Sequence, residues 1–571
     1  MKKFLIKTIS LLLALVLLCG CGADDATVSS VYEYEYVPKQ LIAERIDFED
    51  IEYLRPDMDA LYELVFALED ALQSRHNLEE ICSLIDYFNA GCTSFATMYS
   101  VANIRACMDL TDEFYDEELS WCMAAEAELQ MLVDELHLAC ANSEYAQWLE
   151  ENVFWDGFCE EYRLTDDVQS GGSYEDYIAL TEREAELLSR YRDIVSGLSV
   201  ELDGRDLDFV EAQSRDYEGA YAAYYEKYNP ILAELYIELI ELRQESAALM
   251  GFESYADYAY AYIYGRDFGP EEALEYLSLI KKHMGGLFHT ISDIGITEDL
   301  MYDPVDEWEL ELYLETLTEG FGGEVAQAYE LMKQYGMYDL AMSLDKAEKS
   351  FVDYLELYNI PFLFLGPYGY TDDIMTMCHE FGHYVDGFIR EGAYESIDLA
   401  EVFSQAMQLL GIEQLHCVMT AQEHKNFVDM NLMDIVSSLQ FQSALAEFEL
   451  RSYEMESPTV EQLNALYMEI AGEYGLYSGE EDFDSRGWVE IPHLFESPFY
   501  VISYSVSAPA ALGLYEMELA KAGSGSECFV KMSESGLAGL EETMEFVGIE
   551  APLSESRVQE TAEFLRSRLG L

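Results

Sequence analysis

From about residue 41 to residue 198, apolar residues recur every three or four positions, the spacing that lines one face of an α-helix. The strict alternation of a half-buried strand is scarce. Asp59 to Ser74 and Asp112 to Leu138 are the clearest amphipathic segments, and Gly171-Gly172 and Gly204 punctuate the pattern. A run rich in Leu and Glu follows from Ile231 to Met250, and Pro230, which has no N–H to lose, suits its first turn. The tyrosines just before it (Tyr217, Tyr221, Tyr224, Tyr225 and Tyr228) lie at helical spacing and are expected to pack, not to form a platform for a sugar or base.

The pattern changes past Gly320-Phe321-Gly322-Gly323. Phe351 to Gly366, rich in aromatics and interrupted by Pro361, is the best strand candidate in the chain, and its part near Phe362 to Leu365 is a candidate for pairing with an extended peptide. A turn from Pro367 to Asp373 comes next, in which Thr371 or an Asp is suited to cap a helix. That helix carries Met377-Cys378-His379-Glu380-Phe381-Gly382-His383, the pattern H-E-x-x-H, in a chain with only 9 histidines. One helical turn apart, His379 and His383 aim two imidazoles at a common point, and Glu380 flanks that point as a proton acceptor for bound water. Ser396 is placed to cap a second amphipathic helix beginning at Ile397. A zinc ion held by two histidines needs a further protein ligand, and charge balance favours a carboxylate. Glu401 is the preferred candidate, because a helix can end, turn near Gly392 and return a carboxylate to the metal; by spacing alone Asp386, Glu391, Glu395 and Asp398 compete with it.

Composition narrows the class. A chain of 571 residues suggests two or three domains or lobes. With 31 basic against 112 acidic residues, its formal charge of -81 repels phosphates and argues against nucleic-acid binding. Lys2, Lys3 and Lys7, the apolar run Ile9 to Leu18, and Leu18-Cys19-Gly20-Cys21 read as an export signal ending in a lipobox-like sequence, so that Cys21 is expected to carry lipid. This predicts a mature protein outside the cytoplasm, anchored at a membrane. The expected organisation is a signal peptide over 1–20, a flexible tether over 21–40, an N-terminal helical region over 41–198 and a catalytic region over 199–571. Of the 11 cysteines, those beyond Cys21 show neither C-x-x-C pairs nor a dense framework. They are expected to be mostly buried small hydrophobes, with one or two bridges possible between Cys82 and Cys159.

Three blocks resemble one family. His379-Glu380-Phe381-Gly382-His383, then Ala400-Glu401-Val402-Phe403-Ser404-Gln405, then Trp488 to Tyr504 with His493 followed by spaced tyrosines, are similar in kind and order to the thimet oligopeptidase and oligoendopeptidase F family of zinc peptidases. Upstream, the turn with Gly369 and Asp373 resembles the family's approach to its metal helix. Asp386, Gln408 and Val501 depart from the residues common there.

The resemblance implies a mainly α fold, two helical lobes around a substrate channel, with a small β-sheet beside the H-E-x-x-H helix. It implies one Zn²⁺ per chain on His379, His383 and Glu401, with Glu380 as general base and His493, Tyr504 and Tyr500 as donors to the developing oxyanion. The expected activity is endoproteolysis of short unfolded oligopeptides. A dipeptidyl carboxypeptidase of the same chemistry and a non-catalytic peptide- or metal-binding lipoprotein are the alternatives, the last disfavoured because zinc binding alone has no need of Glu380.

Overall fold

Asp57, Asn77 and Asp112 each accept a hydrogen bond from a backbone N–H of the first helical turn that follows, at 3.1, 2.9 and 3.0 Å. They open helices α1 (Met58–Gln73), α2 (Leu78–Met108) and α3 (Glu113–Ala141). The computed structural model describes residues 36–39, 41–74, 77–155, 157–162, 174–287, 290–291, 303–392, 396–477 and 483–571. The export signal, Cys21, most of the tether, Gly171-Gly172 and Glu395 lie outside the described residues.

Leu61, Val65, Ile81, Phe95, Leu129 and Trp148 belong to a core that the N-terminal helices share among themselves. The far end of α2 turns Met98, Val101, Ile104 and Cys107 into a second, larger core that holds most of the remaining chain. Buried on both faces, α2 joins two helical lobes. Leu187, Leu188 and Tyr191 of α4 (Tyr174–Ser196) pack in the larger core beside α5 (Tyr217–Leu249).

Helix α5 does not begin at Ile231: it runs through Pro230 without a break. Tyr224, Tyr225 and Tyr228 share a buried face with Leu232, Tyr236 and Leu239. That continuous apolar stripe outweighs the single backbone bond that Pro230 cannot make, a cost of about 3 kcal/mol. Between α4 and α5, Ser199–Leu202 (β1) and Arg205–Asp208 (β2) form an antiparallel hairpin. Its two-residue turn, Asp203 and Gly204, has φ of 54° and 73°, so that the Gly204 break is a hairpin turn.

A three-stranded sheet precedes the metal-binding motif: β3 (Tyr338–Asp339), β4 (Phe351–Leu355) and β5 (Ile360–Phe364), in the order β3-β5-β4. The aromatic stretch is thus two antiparallel strands, folded back through a 3-10 turn and a left-handed Asn359 with φ of 49°. Strand β5 is central and all five of its residues are buried. Leu363 N–H donates to Met337 O at 3.1 Å and Leu365 N–H to Asp339 O at 3.0 Å. Pairing of a peptide with Phe362 to Leu365 is therefore excluded, because those backbone groups are already committed on both sides.

Five further helices carry or support the site: α6 (Asp372–Arg390), α7 (Ile397–Gln414), α8 (Ala421–Tyr453), α9 (Ile502–Ala520) and α10 (Ser524–Ser535). Helix α7 is not amphipathic. Every residue from Ile397 to Ile412 is buried, since α6, α8, α9 and α10 surround it. Among the described residues no helix is long and apolar enough to cross a membrane, and the cysteines from Cys82 to Cys528 are all unbridged, with only Cys417 exposed.

Candidate metal centre

The approach to α6 is fixed by one carboxylate. Asp373 accepts the backbone N–H groups of Tyr368, Gly369 and Tyr370 at 2.9, 2.7 and 2.9 Å. Gly369 has φ of 84°, which permits the tight turn. Thr371 stands at the cap position but makes no side-chain bond to the helix, so Asp373 holds the turn instead.

Along α6, His379 and His383 fall on one face, with ring centroids 5.1 Å apart and planes at 84°. His379 is partly open and His383 nearly closed off, with side-chain exposures of 23% and 5%. Gly382, between them, is where α6 meets α7. A Cβ there would lie 2.8 Å from the Ser404 Cα and 2.8 Å from the Met407 Cβ, closer than side chains tolerate. The missing side chain lets the two backbones approach.

That approach delivers Glu401. Its Oε2 stands 3.4 Å from His379 Nε2 and 3.7 Å from His383 Nε2, and one ligand atom from each of the three residues lies within 4.8 Å of the others. Two ligands about 2.1 Å from one ion at a tetrahedral angle stand roughly 3.4 Å apart, so the two carboxylate–imidazole distances are those that a tetrahedral metal ion accepts. Both carboxylate oxygens are also held from behind. Ser404 Oγ donates to Oε2 at 2.9 Å, and Tyr500 Oη donates to Oε1 at 2.8 Å.

Among the described competitors, Asp386 and Asp398 have partners of their own. Asp386 is fully buried against Arg390 and Ser533; burial pushes its carboxyl up while those two partners oppose the shift. Asp398 pairs with Arg266 at 3.1 Å, and Glu391 forms the left-handed C-cap of α6 with φ of 54°. Gln408 is paired with Asn431, to which its amide donates at 2.8 Å.

Glu380 is 6% exposed and sits beside His379 on α6. His493, Tyr500 and Tyr504 come together: the His493 ring is 5.5 Å from Tyr500 and 6.2 Å from Tyr504, and the two tyrosines are 5.3 Å apart. Burial, then the negative charges of Glu401 and Glu380, hold the Tyr504 phenol well above its ordinary range, so it stays a proton donor through neutral pH. Burial and Glu401 do the same for Tyr500.

The contacts of several supporting residues were not assigned from the sequence. Gln405 donates to Tyr504 O at 3.0 Å and Ser507 Oγ at 2.9 Å, tying α7 to α9. Arg266 is buried among Tyr260, Tyr264 and Phe268, and a lone basic residue inside an aromatic run was its only signal in the sequence.

Residues 48–156 match the Peptidase M3 N-terminal domain and residues 358–525 match Peptidase family M3. Over 164 residues the chain is 34% identical to the chromosomal oligoendopeptidase F of Lactococcus lactis subsp. cremoris; the match covers 26% of this chain and spans about a quarter, 27%, of that relative. Among solved structures, PZ peptidase A with an inhibitor superposes with a TM-score of 0.75 at 19% identity, covering 92% of this chain and 99% of the other. Oligoendopeptidase-F from Enterococcus faecium gives 0.58 at 16%, covering 90% and 97%. At these identities the structural likeness is one of fold.

Proposed function

Because the chain belongs to peptidase family M3, we propose that it is a zinc-dependent endopeptidase acting on short, unfolded oligopeptides. The observation that carries this reading is the convergence of His379, His383 and Glu401 Oε2 beside the buried carboxylate of Glu380. A zinc ion bound there would supply Lewis acidity and lower the pKa of a coordinated water to about 7.

The chain's own residues account for the rest. Glu380 accepts a proton from the attacking water and returns it to the leaving amine. Tyr504, kept protonated by its surroundings, and His493 are the donors proposed for the developing oxyanion. The Tyr500 hydroxyl already donates to Glu401, and its part in this scheme is to hold that carboxylate in place.

Endoproteolysis is favoured over dipeptidyl carboxypeptidase action by the basic side chains around the site. A dipeptidyl carboxypeptidase needs a cation for the substrate's terminal carboxylate, and among the described residues Arg266 is committed to Asp398 and Arg390 to Asp386. Mass spectrometry of products from matched peptides with free and amidated C-termini tests this. Cleavage of internal bonds in both sets is expected; release of dipeptides from free C-termini alone would contradict it.

The N-terminal sequence supports a lipid-anchored, extracytoplasmic protein. In this reading Cys21 is the first residue after cleavage and carries the lipid, and the acidic and small residues after it space the peptidase from the bilayer.

A further inference from the structure

Phe499, the residue before Tyr500, has φ of 63°. Left-handed backbone is disfavoured for any side chain larger than Gly and persists in a bulky residue only when its surroundings impose it. Here they do so from several sides. Glu449 of α8, fully buried, accepts the Phe499 N–H at 2.7 Å. The Arg266 guanidinium donates from Nη2 to Phe499 O at 2.9 Å, so the peptide groups on both sides of the Phe499 Cα are held by buried side chains, Glu449 on one and Arg266 on the other. Tyr264 Oη donates to Pro498 O at 2.7 Å, and the Phe499 ring packs 4.8 Å from Tyr453 and 5.8 Å from Tyr260.

Arg266 reaches further. Its Nη2 also donates to Ser503 Oγ at 2.9 Å, and its Nε pairs with Asp398 at 3.1 Å. Asp398 lies on α7 one turn before Glu401, and Ser503 on α9 one turn after Tyr500. One buried side chain therefore joins the two segments whose meeting point is the Tyr500–Glu401 hydrogen bond.

We infer that Arg266 and Glu449 are positioning residues that impose the left-handed conformation of Phe499 and thereby aim the Tyr500 hydroxyl at Glu401. The inference rests on the reading of Glu401 as a metal ligand. Neither residue touches substrate in this scheme; both act through Tyr500. Burial pushes the Glu449 carboxyl up to about 8, so it is largely protonated at neutral pH, and a glutamine can replace it at the Phe499 N–H.

The test measures zinc affinity by chelator competition, kcat and KM on an internally quenched peptide, and thermal unfolding, all in the full chain. Tyr500→Phe is expected to weaken zinc roughly 10- to 100-fold, the usual loss when a partner of a metal ligand is removed. Glu449→Leu removes the acceptor and should match that loss, whereas Glu449→Gln keeps an amide oxygen there and should stay within about 2-fold of the native chain. Combining Glu449→Leu with Tyr500→Phe should cost no more than Tyr500→Phe alone, because both act through one contact. Arg266→Lys keeps the charge but lacks the fork that engages Asp398 through Nε while Nη2 reaches Phe499 and Ser503, and carries the same expectation should Glu449→Leu fail to fold. Equal zinc affinity in Glu449→Leu and Glu449→Gln, an Arg266→Lys chain that binds zinc as the native one does, or losses that multiply in the double variant would each overturn the inference. Glu401→Gln separates it from the reading beneath it: zinc lost there upholds the ligand set whatever Arg266 and Glu449 do, and zinc retained there contradicts that set and this inference together.

Discussion

Gly382 and Ser404 meet backbone to backbone: a Cβ on Gly382 would stand 2.8 Å from the Ser404 Cα. The contact sets the distance between the helix that bears both histidines and the helix that bears Glu401. Gly382→Ala should force them apart, destabilising the chain by about 1–3 kcal/mol as overpacked cores do. Since Glu401 rides on the displaced helix, zinc affinity should fall by at least roughly 10-fold. Chelator competition alongside thermal unfolding checks both, and unchanged zinc affinity in a folded variant would contradict this role.

A second expectation concerns pH and stability. Burial pushes Glu449 and Glu126 up to about 8, above the ordinary carboxyl value of 4.5. The folded chain then holds protons that the unfolded chain has released, so both groups stabilise fully below about pH 4.5 and lose that contribution as pH rises to about 8. Each contributes a slope of up to about 1.4 kcal/mol per pH unit in that window. Urea unfolding of the native chain from pH 5 to 9 should show falling stability, and Glu449→Gln and Glu126→Gln should each flatten the curve. A native curve that rises through this window would be at odds with these buried acids.

The formal charge of -81 gives a third. Such a field attracts cationic peptides and repels anionic ones until salt screens it. Raising ionic strength from about 0.01 M to about 0.5 M should lower kcat/KM for a Lys-rich peptide and raise it for a Glu-rich peptide of equal length. Parallel responses of the two substrates would show that the charge lies too far from the site to matter.

For the proposed membrane anchor the decisive residue is Cys21. Cys21→Ser should abolish labelling by a fatty-acid analogue and move the protein from the membrane fraction to the soluble one. Persistent labelling, or unchanged fractionation, would argue against lipid on this thiol.

The sequence was most readable where chemistry imposes a local pattern. Two histidines one turn apart and the Ser396 cap are local, and the structure has them where spacing and side-chain chemistry put them. Glu401 stood among five carboxylates by spacing and was singled out by resemblance, since what separates it from Asp398 is a tertiary contact: one meets two imidazoles and the other meets Arg266. Helix α7 was misread as amphipathic because its polar residues point at buried partners, Gln405 at Ser507 and Gln408 at Asn431, instead of at water. Pro230 misled for a related reason: the apolar face crossing it is longer than the local rule for proline anticipates. Glu449 and the left-handed Phe499 left no local trace, and Arg266 left only that of a lone basic residue in an aromatic run, because their meaning comes from segments far apart in the chain.

The central claim is that one divalent ion is held by His379, His383 and Glu401 while Glu380 serves only in proton transfer. Zinc content and peptide hydrolysis measured together on purified Glu401→Gln and Glu380→Gln test it most directly. The account predicts about one zinc per chain and no hydrolysis in Glu380→Gln, and loss of both in Glu401→Gln. A Glu401→Gln chain that keeps its zinc, or a Glu380→Gln chain that still cleaves peptides at the native rate, would contradict it.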